Sequence, residues 1–295
     1  MKSWIKAFRL RTLPLAISGW LVGISLATNK AELNYLIAGL TLLTAILLQI
    51  LSNLANDYGD ASSGVDEKRI GEVRMVSSGA ITPAAMRKAI ILFTCFAFLS
   101  GVVLLYLSFP YDWKSVLVFL LIGSVGIAAA IKYTVGKNPY GYVGFGDVFV
   151  FVFFGIVLVF GTYYLQVQEL NWLILLPAAS MGLFSVGVLN VNNIRDIESD
   201  RQSGKQSIPV RIGKKKAVIY HVLLLQVGLL LSVAYVFLTL QSGWGFLFIF
   251  VNSLFIFNIK AVAKKPSHQL DPYLKQMAIA TLLFAVLFSL GQGLN

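Results

Sequence analysis

The sequence predicts an all-α, polytopic membrane protein, a bundle of about nine transmembrane helices. Three observations lead there. The 295 residues are 57% hydrophobic and only 13% charged, with a mean hydropathy of +0.78, whereas a soluble domain carries roughly a quarter charged residues. The apolar residues are gathered into nine runs of about 20, the length that crosses a hydrocarbon core of about 30 Å. Finally, 22 of the 24 Lys and Arg fall in the N-terminal segment and in alternate loops.

The runs are placed in order as follows. The first, near 12–29, opens after Lys2, Lys6, Arg9 and Arg11 and carries Pro14 near its start. The second, near 34–56, ends in a cluster of polar and acidic residues. Thr82-Pro83 reads as a helix start, with Thr82 as N-cap and Pro83 at the first helical position, leading into a third run near 88–107. A fourth, near 113–132, ends at Lys132-Tyr133. The fifth, near 144–165, begins with Gly144-Phe-Gly146-Asp147, and the sixth, near 171–192, ends in a second acidic cluster. A basic loop with Pro209 precedes the seventh, near 217–240. The eighth and ninth, near 243–260 and 275–293, flank Lys260, Lys264, Lys265 and Lys275.

Only Lys30 and Lys114 fall in the odd-numbered loops. Cytoplasmic loops are the ones enriched in Lys and Arg, so the N-terminus and even loops are expected in the cytoplasm and the C-terminus outside. That distribution also accounts for the net charge of +11 by a membrane surface, with no nucleic-acid partner. No cleavable signal pattern precedes the first run. The one cysteine, Cys95, lies in an apolar run, so neither a disulfide nor a thiolate metal site is expected. It reads as a small buried residue. His221 and His268 read as ordinary interfacial residues. The chain, 1–295, reads as a single integral-membrane domain.

Two clusters 140 residues apart share one spacing. Asn53-Leu-Ala-Asn56-Asp57-Tyr-Gly-Asp60-Ala-Ser-Ser63-Gly64 aligns with Asn193-Ile-Arg-Asp196-Ile-Glu-Ser-Asp200-Arg-Gln-Ser203-Gly204. Asn53 falls on Asn193, Asn56 on Asp196 and Asp60 on Asp200, which suggests two related halves. Positions i, i+3 and i+7 share a helix face, so each cluster is expected to project a column of oxygen ligands. Carboxylates at membrane depth are costly and usually functional. Two facing columns suit Mg²⁺, which takes oxygen ligands and bridges a few carboxylates to substrate phosphates. Asn56, Asp60, Asp196 and Asp200 are the expected metal ligands, with Asn53, Asn192 and Asn193 in support. Two histidines in the whole chain argue against zinc or iron.

Basic residues follow each column: Lys68, Arg69 and Arg74 after the first, Arg201, Lys205 and Arg211 after the second. They, with Lys132, are candidates to hold diphosphate oxygens. Asp147 heads a strongly apolar run, where an acid without a role is expensive. The composite is a diphosphate and metal site at the cytoplasmic mouth of an apolar helical bundle, suited to ionising an allylic diphosphate.

These residues resemble the UbiA-type intramembrane prenyltransferases, in particular their 1,4-dihydroxy-2-naphthoate polyprenyltransferase branch from menaquinone biosynthesis. The resemblance covers nearly the whole chain. It rests on Trp4 to Pro14, on Asn53-x-x-Asn56-Asp57-x-x-Asp60 with Gly64 and Asp66, on Ser78-Gly79-Ala80-Ile81-Thr82-Pro83, on Lys132-Tyr133-Thr134, on Gly146 to Gly155, and on Leu189 to Arg201 with Gly204-Lys205. It implies Mg²⁺-dependent transfer of a polyprenyl group from its diphosphate to 1,4-dihydroxy-2-naphthoate, with decarboxylation to demethylmenaquinone, in the cell membrane. It also implies catalytic roles for Asp57, Asp60, Asp147, Asp196 and Asp200. Diphosphate or substrate contacts are implied for Asn53, Asp66, Lys68, Arg69, Arg74, Lys132, Tyr133, Asn192, Asn193, Arg201 and Lys205. Two positions depart from the pattern: Gly64 stands where the wider family often has an acid, and Asp147 where the branch usually has Glu. A different acceptor within the superfamily, or a membrane cation or lipid transporter, is the alternative; a transporter would need polar residues continuing to the outer face.

Overall fold

The computed structural model describes residues 2–63, 73–239 and 242–295. Among them, nine helical segments are long and apolar enough to cross a membrane, and no strand occurs. Expected positions Gly64, Asp66, Lys68 and Arg69 lie outside the described residues.

The chain begins with α1 (Lys2–Phe8) and α2 (Leu13–Thr28), which together make the first span across a short 3₁₀ turn at Leu10–Thr12. Then come α3 (Tyr35–Ser62), α4 (Pro83–Ser108), α5 (Trp113–Lys132), α6 (Gly146–Val167) and α7 (Trp172–Arg195). The short α8 (Ile197–Gln202) leads to α9 (Ile208–Leu238), α10 (Gly243–Lys264) and α11 (Asp271–Gly293). Local chemistry sets several of these limits. Asn34 and Asp112 accept hydrogen bonds from the first free N–H groups of α3 and α5. Thr82 Oγ1 accepts from Ala85 N at 3.2 Å, with Pro83 in the first turn of α4, as the sequence predicts. The seventh span keeps close to expectation: a short helical stretch from Ile208 is broken at Gly213 (φ 77°, ψ 158°), and the long apolar part of α9 runs from there to Leu238.

α7 is the most enclosed span and α5 the least. The main core gathers α2, α6, α7, α9, α10 and α11 around Phe184, Phe248, Phe255, Phe284 and Phe288. A second cluster joins α1, α3 and α4 through Leu51, Leu54, Met86 and Ile90. In a membrane, helices approach through small residues because lipid tails offer no hydrophobic drive to associate. Gly155 of α6 and Gly182 of α7 make such a contact: a Cβ on Gly155 would stand 2.5 Å from Ala178 O and 2.7 Å from Gly182 Cα. This contact lies in the π-helical stretch Phe151–Phe160 of α6, whose wider turn is a common feature of functional sites.

Two expectations are corrected. Cys95 is exposed on the outside of α4, where the membrane-spanning helix needs only an apolar surface. His221 is wholly buried, with Nε2 2.9 Å from Asn258 Oδ1. Asn258 in turn donates to Tyr273 O at 2.8 Å. A polar partner on α10 lets the imidazole leave the interface for the core.

Among the described residues, the Lys- and Arg-rich loops come to one face. Arg11 meets Asp271, the α5–α6 loop meets the α8–α9 loop, and Lys214 Nζ donates to Lys265 O at 2.5 Å. The other face is closed by neutral pairs, such as Asn29 Nδ2 to Gln292 Oε1 at 3.1 Å and Gln166 Nε2 to Asn34 O at 3.1 Å.

Gly155→Ala should destabilise the protein by about 1–3 kcal/mol, since backbone on α7 must retreat to admit the methyl. Gly39→Ala, where a Cβ meets nothing within 4 Å, should be neutral or slightly stabilising. Unfolding midpoints in detergent micelles compare the two.

Candidate active site

A cavity of about 380 Å³ runs through the half of the bundle formed by α2 to α7. At the basic face it is lined by Arg9, Arg11, Asn53, Asn56, Asp60, Arg74, Tyr133, Asn192 and Lys205. Beyond these the wall carries no charged residue and is mainly apolar, with Phe98, Leu104, Leu105, Phe119, Leu120, Val157, Leu158 and Leu165 beside a few hydroxyls such as Thr41, Thr44 and Thr162. Asp60 and Thr41, both in the lining, are 19 residues apart on α3. At 1.5 Å per residue the bore is about 28 Å long, close to the hydrocarbon thickness of a bilayer.

The first column forms as expected: Asn53, Asn56 and Asp60 share one face of α3 and line the cavity. Asn53 Nδ2 donates to Phe8 O and to Thr12 Oγ1, both at 2.9 Å. It thereby pins the corner that carries Arg9 and Arg11. Arg9 itself holds a left-handed backbone (φ 50°, ψ 62°), rare for a side chain of this kind. Asn56 Oδ1 accepts from Thr134 Oγ1 at 3.2 Å. Asp60 is buried; Arg74 Nη2 pairs with its Oδ2, and Tyr142 Oη donates to Oδ1 at 2.9 Å.

Asp57, expected as a catalytic acid, faces away from the cavity. One residue along from Asn56, it sits about 100° round the helix and outside the cavity lining. Its oxygens accept from Met75 N and Val76 N, each at 2.9 Å. The carboxylate clamps the returning loop, and the residue so placed, Arg74, lands on Asp60.

The second column does not stay on one helix. α7 ends at Arg195, Asp196 occupies the junction (φ −92°, ψ 8°), and α8 starts anew at Ile197. Asn193, Asp196 and Asp200 lie outside the lining, which holds Asn192, one position round α7 from Asn193, and Lys205 from beyond the break. Asp196 accepts both arms of Arg195, at 2.8 Å each. Arg195, wholly buried, also donates to Asn192 Oδ1 at 2.9 Å and to Asp271 Oδ1 at 2.5 Å. Asp271 shares its oxygens with Arg11 Nη1 at 3.2 Å. Asp200 takes Lys205 Nζ on Oδ1 at 3.2 Å. The turn that allows this is a Schellman cap: Lys205 N bonds Asp200 O at 2.9 Å, Gly204 N bonds Arg201 O at 3.3 Å, and Gly204 has φ 77°.

Three more expected site residues fall elsewhere. Lys132 is exposed at the end of α5, outside the lining, while its neighbour Tyr133 turns inward. Arg201 is exposed and pairs with Glu198 at 3.4 Å. Asp147, expected as a catalytic acid, is buried outside the cavity lining and accepts from Tyr220 Oη of α9 at 2.9 Å. Sequence reasoning missed Tyr142, Asp271 and the inward place of Arg9 and Arg11. The signal for the arginines was present in the opening segment; nothing local marked Asp271, whose partners lie 76 and 260 residues away.

Of the charged residues described in the lining, four are cations and one, Asp60, is an anion. That surplus is the field of an anion site, and Arg and Lys suit phosphate oxygens. No group of three Asp, Glu, His or Cys converges to hold a metal among the described residues. The donor set of one lining carboxylate with Asn56 and Asn192 fits a hard cation that shares its shell with water and phosphates, as Mg²⁺ does, rather than one in an all-protein cage.

The sequence profile described as the UbiA prenyltransferase family matches residues 16–290. The chain belongs to that family. It is 42% identical over 296 residues to 1,4-dihydroxy-2-naphthoate octaprenyltransferase of Haemophilus influenzae, covering 99% of this chain and 96% of that protein. It is 41% identical to the protein of the same name from Escherichia coli, covering 98% and 94%. A UbiA homologue from Archaeoglobus fulgidus bound to GPP and Mg²⁺ shares the fold with a TM-score of 0.66 at 16% identity, covering 97% of this chain and 98% of that one. The apo UbiA homologue from Aeropyrum pernix K1 gives 0.67 at 17% identity, covering 95% of each. The family, with nine apolar helices among the described residues, makes this a multi-pass membrane protein.

Arg195→Ala should cost about 3–5 kcal/mol, because it leaves the buried carboxylate of Asp196 without its bidentate partner. Unfolding in mixed detergent micelles measures the loss.

Proposed function

We propose that this protein transfers a polyprenyl group from an allylic diphosphate to 1,4-dihydroxy-2-naphthoate, with Mg²⁺, in the cell membrane. The observation that carries the reading is a single bore with four cations, one carboxylate and three asparagine amides at one end and a bilayer-long apolar wall behind them. That shape matches a substrate with a charged head and a long hydrocarbon tail. High identity over the full length to naphthoate octaprenyltransferases supports the acceptor.

In this reading Arg9, Arg11, Arg74 and Lys205 hold the diphosphate oxygens, and the apolar wall takes the prenyl chain. Asn56, Asp60 and Asn192 stand where a metal would be held, with Asp200 and Asp196 behind them on Lys205 and Arg195. Mg²⁺ held by these residues would supply positive charge to offset the diphosphate and the departing pyrophosphate. The allylic C–O bond breaks, and the electron pair leaves with pyrophosphate. The ring carbon bearing the carboxylate forms the new C–C bond, and CO₂ leaves from that carbon, its electron pair returning to the ring, giving the reduced product demethylmenaquinol. Tyr133, Phe149 and Phe153 line the wall near the mouth, where aromatic faces stabilise a developing cation. Asp57 and Asp271 act through the residues they position.

The reading takes 1–295 as one domain of two related halves, with the basic face and the site in the cytoplasm, as the Lys and Arg distribution requires. The charged residues described in the lining all stand at one end of the bore, which speaks against a transporter, since an ion path needs charged or strongly polar groups throughout.

Purified protein with Mg²⁺, a polyprenyl diphosphate and 1,4-dihydroxy-2-naphthoate should give prenylated product and pyrophosphate by mass spectrometry, both lost with EDTA. Pyrophosphate without the naphthalene product would reopen the acceptor. Asp60→Ala should lower turnover by more than the roughly 10–100-fold typical of a residue one shell from a metal, with folded protein retained. Near-normal turnover by that variant would remove Asp60 from the metal assignment.

A further inference from the structure

The α5–α6 loop contains no residue of either acidic column, yet one of its side chains reaches both. Tyr142 Oη donates to Asp60 Oδ1 at 2.9 Å and lies 2.7 Å from Ser63 Oγ, at the end of α3. Lys205 Nζ sits 6.0 Å from the centre of the Tyr142 ring, within cation–π reach. That same Nζ pairs with Asp200 at 3.2 Å. A continuous line therefore runs from Asp60 through Tyr142 and Lys205 to Asp200.

The loop's seat on the other half is made by main chain. Gln206 N donates to Tyr142 O at 2.7 Å, and Arg211 Nη2 donates to Val143 O at 2.6 Å. Gly144, with φ 81°, comes so close that a Cβ there would stand 2.9 Å from Gln206 O. None of these contacts uses the Tyr142 hydroxyl. Its loss leaves the loop anchored.

A carboxylate presents about four lone-pair directions on two oxygens. Asp60 spends one on Oδ2 toward Arg74 and one on Oδ1 toward Tyr142. A contact on each of the two oxygens fixes the rotation of the group. Arg74 brings a positive charge that opposes a metal; the phenol orients without one. Neutral partners of this kind set the affinity of a ligand for its metal.

We infer that Tyr142 is a positioning residue that orients Asp60 for a divalent cation and couples the two acidic columns through Lys205. The inference rests on the proposed reading of the site as one for Mg²⁺ and a diphosphate.

The test compares wild type with Tyr142→Phe and Tyr142→Ala, full-length in detergent. One readout is the Mg²⁺ concentration giving half-maximal prenyl transfer. The other is Mn²⁺ binding followed by electron paramagnetic resonance with inorganic pyrophosphate as probe. Tyr142→Phe keeps the ring under Lys205 and should raise the half-saturating cation concentration roughly 10-fold in both readouts, with an unchanged unfolding midpoint without metal. Tyr142→Ala should shift it further. A wild-type cation dependence in Tyr142→Phe overturns the inference, as does a fall in kcat with that dependence unmoved. If wild type binds Mn²⁺ with pyrophosphate but transfers no prenyl group, the reading of the reaction fails while a shift in Tyr142→Phe still upholds the positioning role. Absence of Mn²⁺ binding in wild type overturns both.

Discussion

A carboxylate buried at the end of a membrane helix needs a cation or several N–H groups beside it, and most of the site follows from that demand. Asp60 is met by Arg74, Asp196 by Arg195, Asp200 by Lys205, and Asp57 by two backbone amides. Arg74 and the amides of Met75 and Val76 come from the returning loop and Lys205 from the turn after α8, so satisfying these acids folds the loops, while Arg195 is the immediate neighbour of Asp196. Arg195 goes furthest. Through Asp271 it joins the end of α7 to the start of α11 and, by way of Arg11, to the N-terminal corner. The same contacts leave Arg9, Arg11, Arg74 and Lys205 around the cavity mouth. Compensating buried acids thus builds a cationic rim.

The bore depends on a second arrangement. Close approach of α6 and α7 at Gly155 and Gly182, and of α2 to α6 at Gly19 and Gly23, seals one side of it with backbone. α5 and α4 wall the other side with side chains, and expose leucine, valine and phenylalanine outward. The wide turn of α6 places Phe153, Phe154, Val157 and Leu158 all in the lining. Head and tail of an amphipathic substrate are thereby read by different parts of the same cavity: charge at the loops, length and apolarity in the helices.

Much of this was legible in the chain. Nine apolar runs gave nine spans among the described residues, the first lengthened by α1 and the seventh preceded by a short helical stretch that breaks at Gly213. Thr82 and Pro83 marked a helix start that the structure keeps. The spacing of Asn53, Asn56 and Asp60 gave a face of α3 because that helix continues unbroken to Ser62. The same spacing failed in the second cluster, where Asp196 sits at a break between α7 and α8. Charge alone did not separate the basic residues either. Lys132 and Lys205 look alike in sequence, but only Lys205 has a buried acid to draw it inward.

The sequence by itself determined the membrane class, the number of spans, the gathering of basic loops on one face and the family, because hydropathy, charge bias and motifs are local properties of the chain. Tertiary structure alone decided which acids reach the cavity and which serve the scaffold. Asp57 and Asp60 are three residues apart, yet one clamps a loop and the other faces the bore. Asp271 and Tyr142 carry no local mark at all. Their roles come from partners brought together by helix packing, and a hydrogen bond between residues 82 positions apart exists only once the helices between them have set the distance.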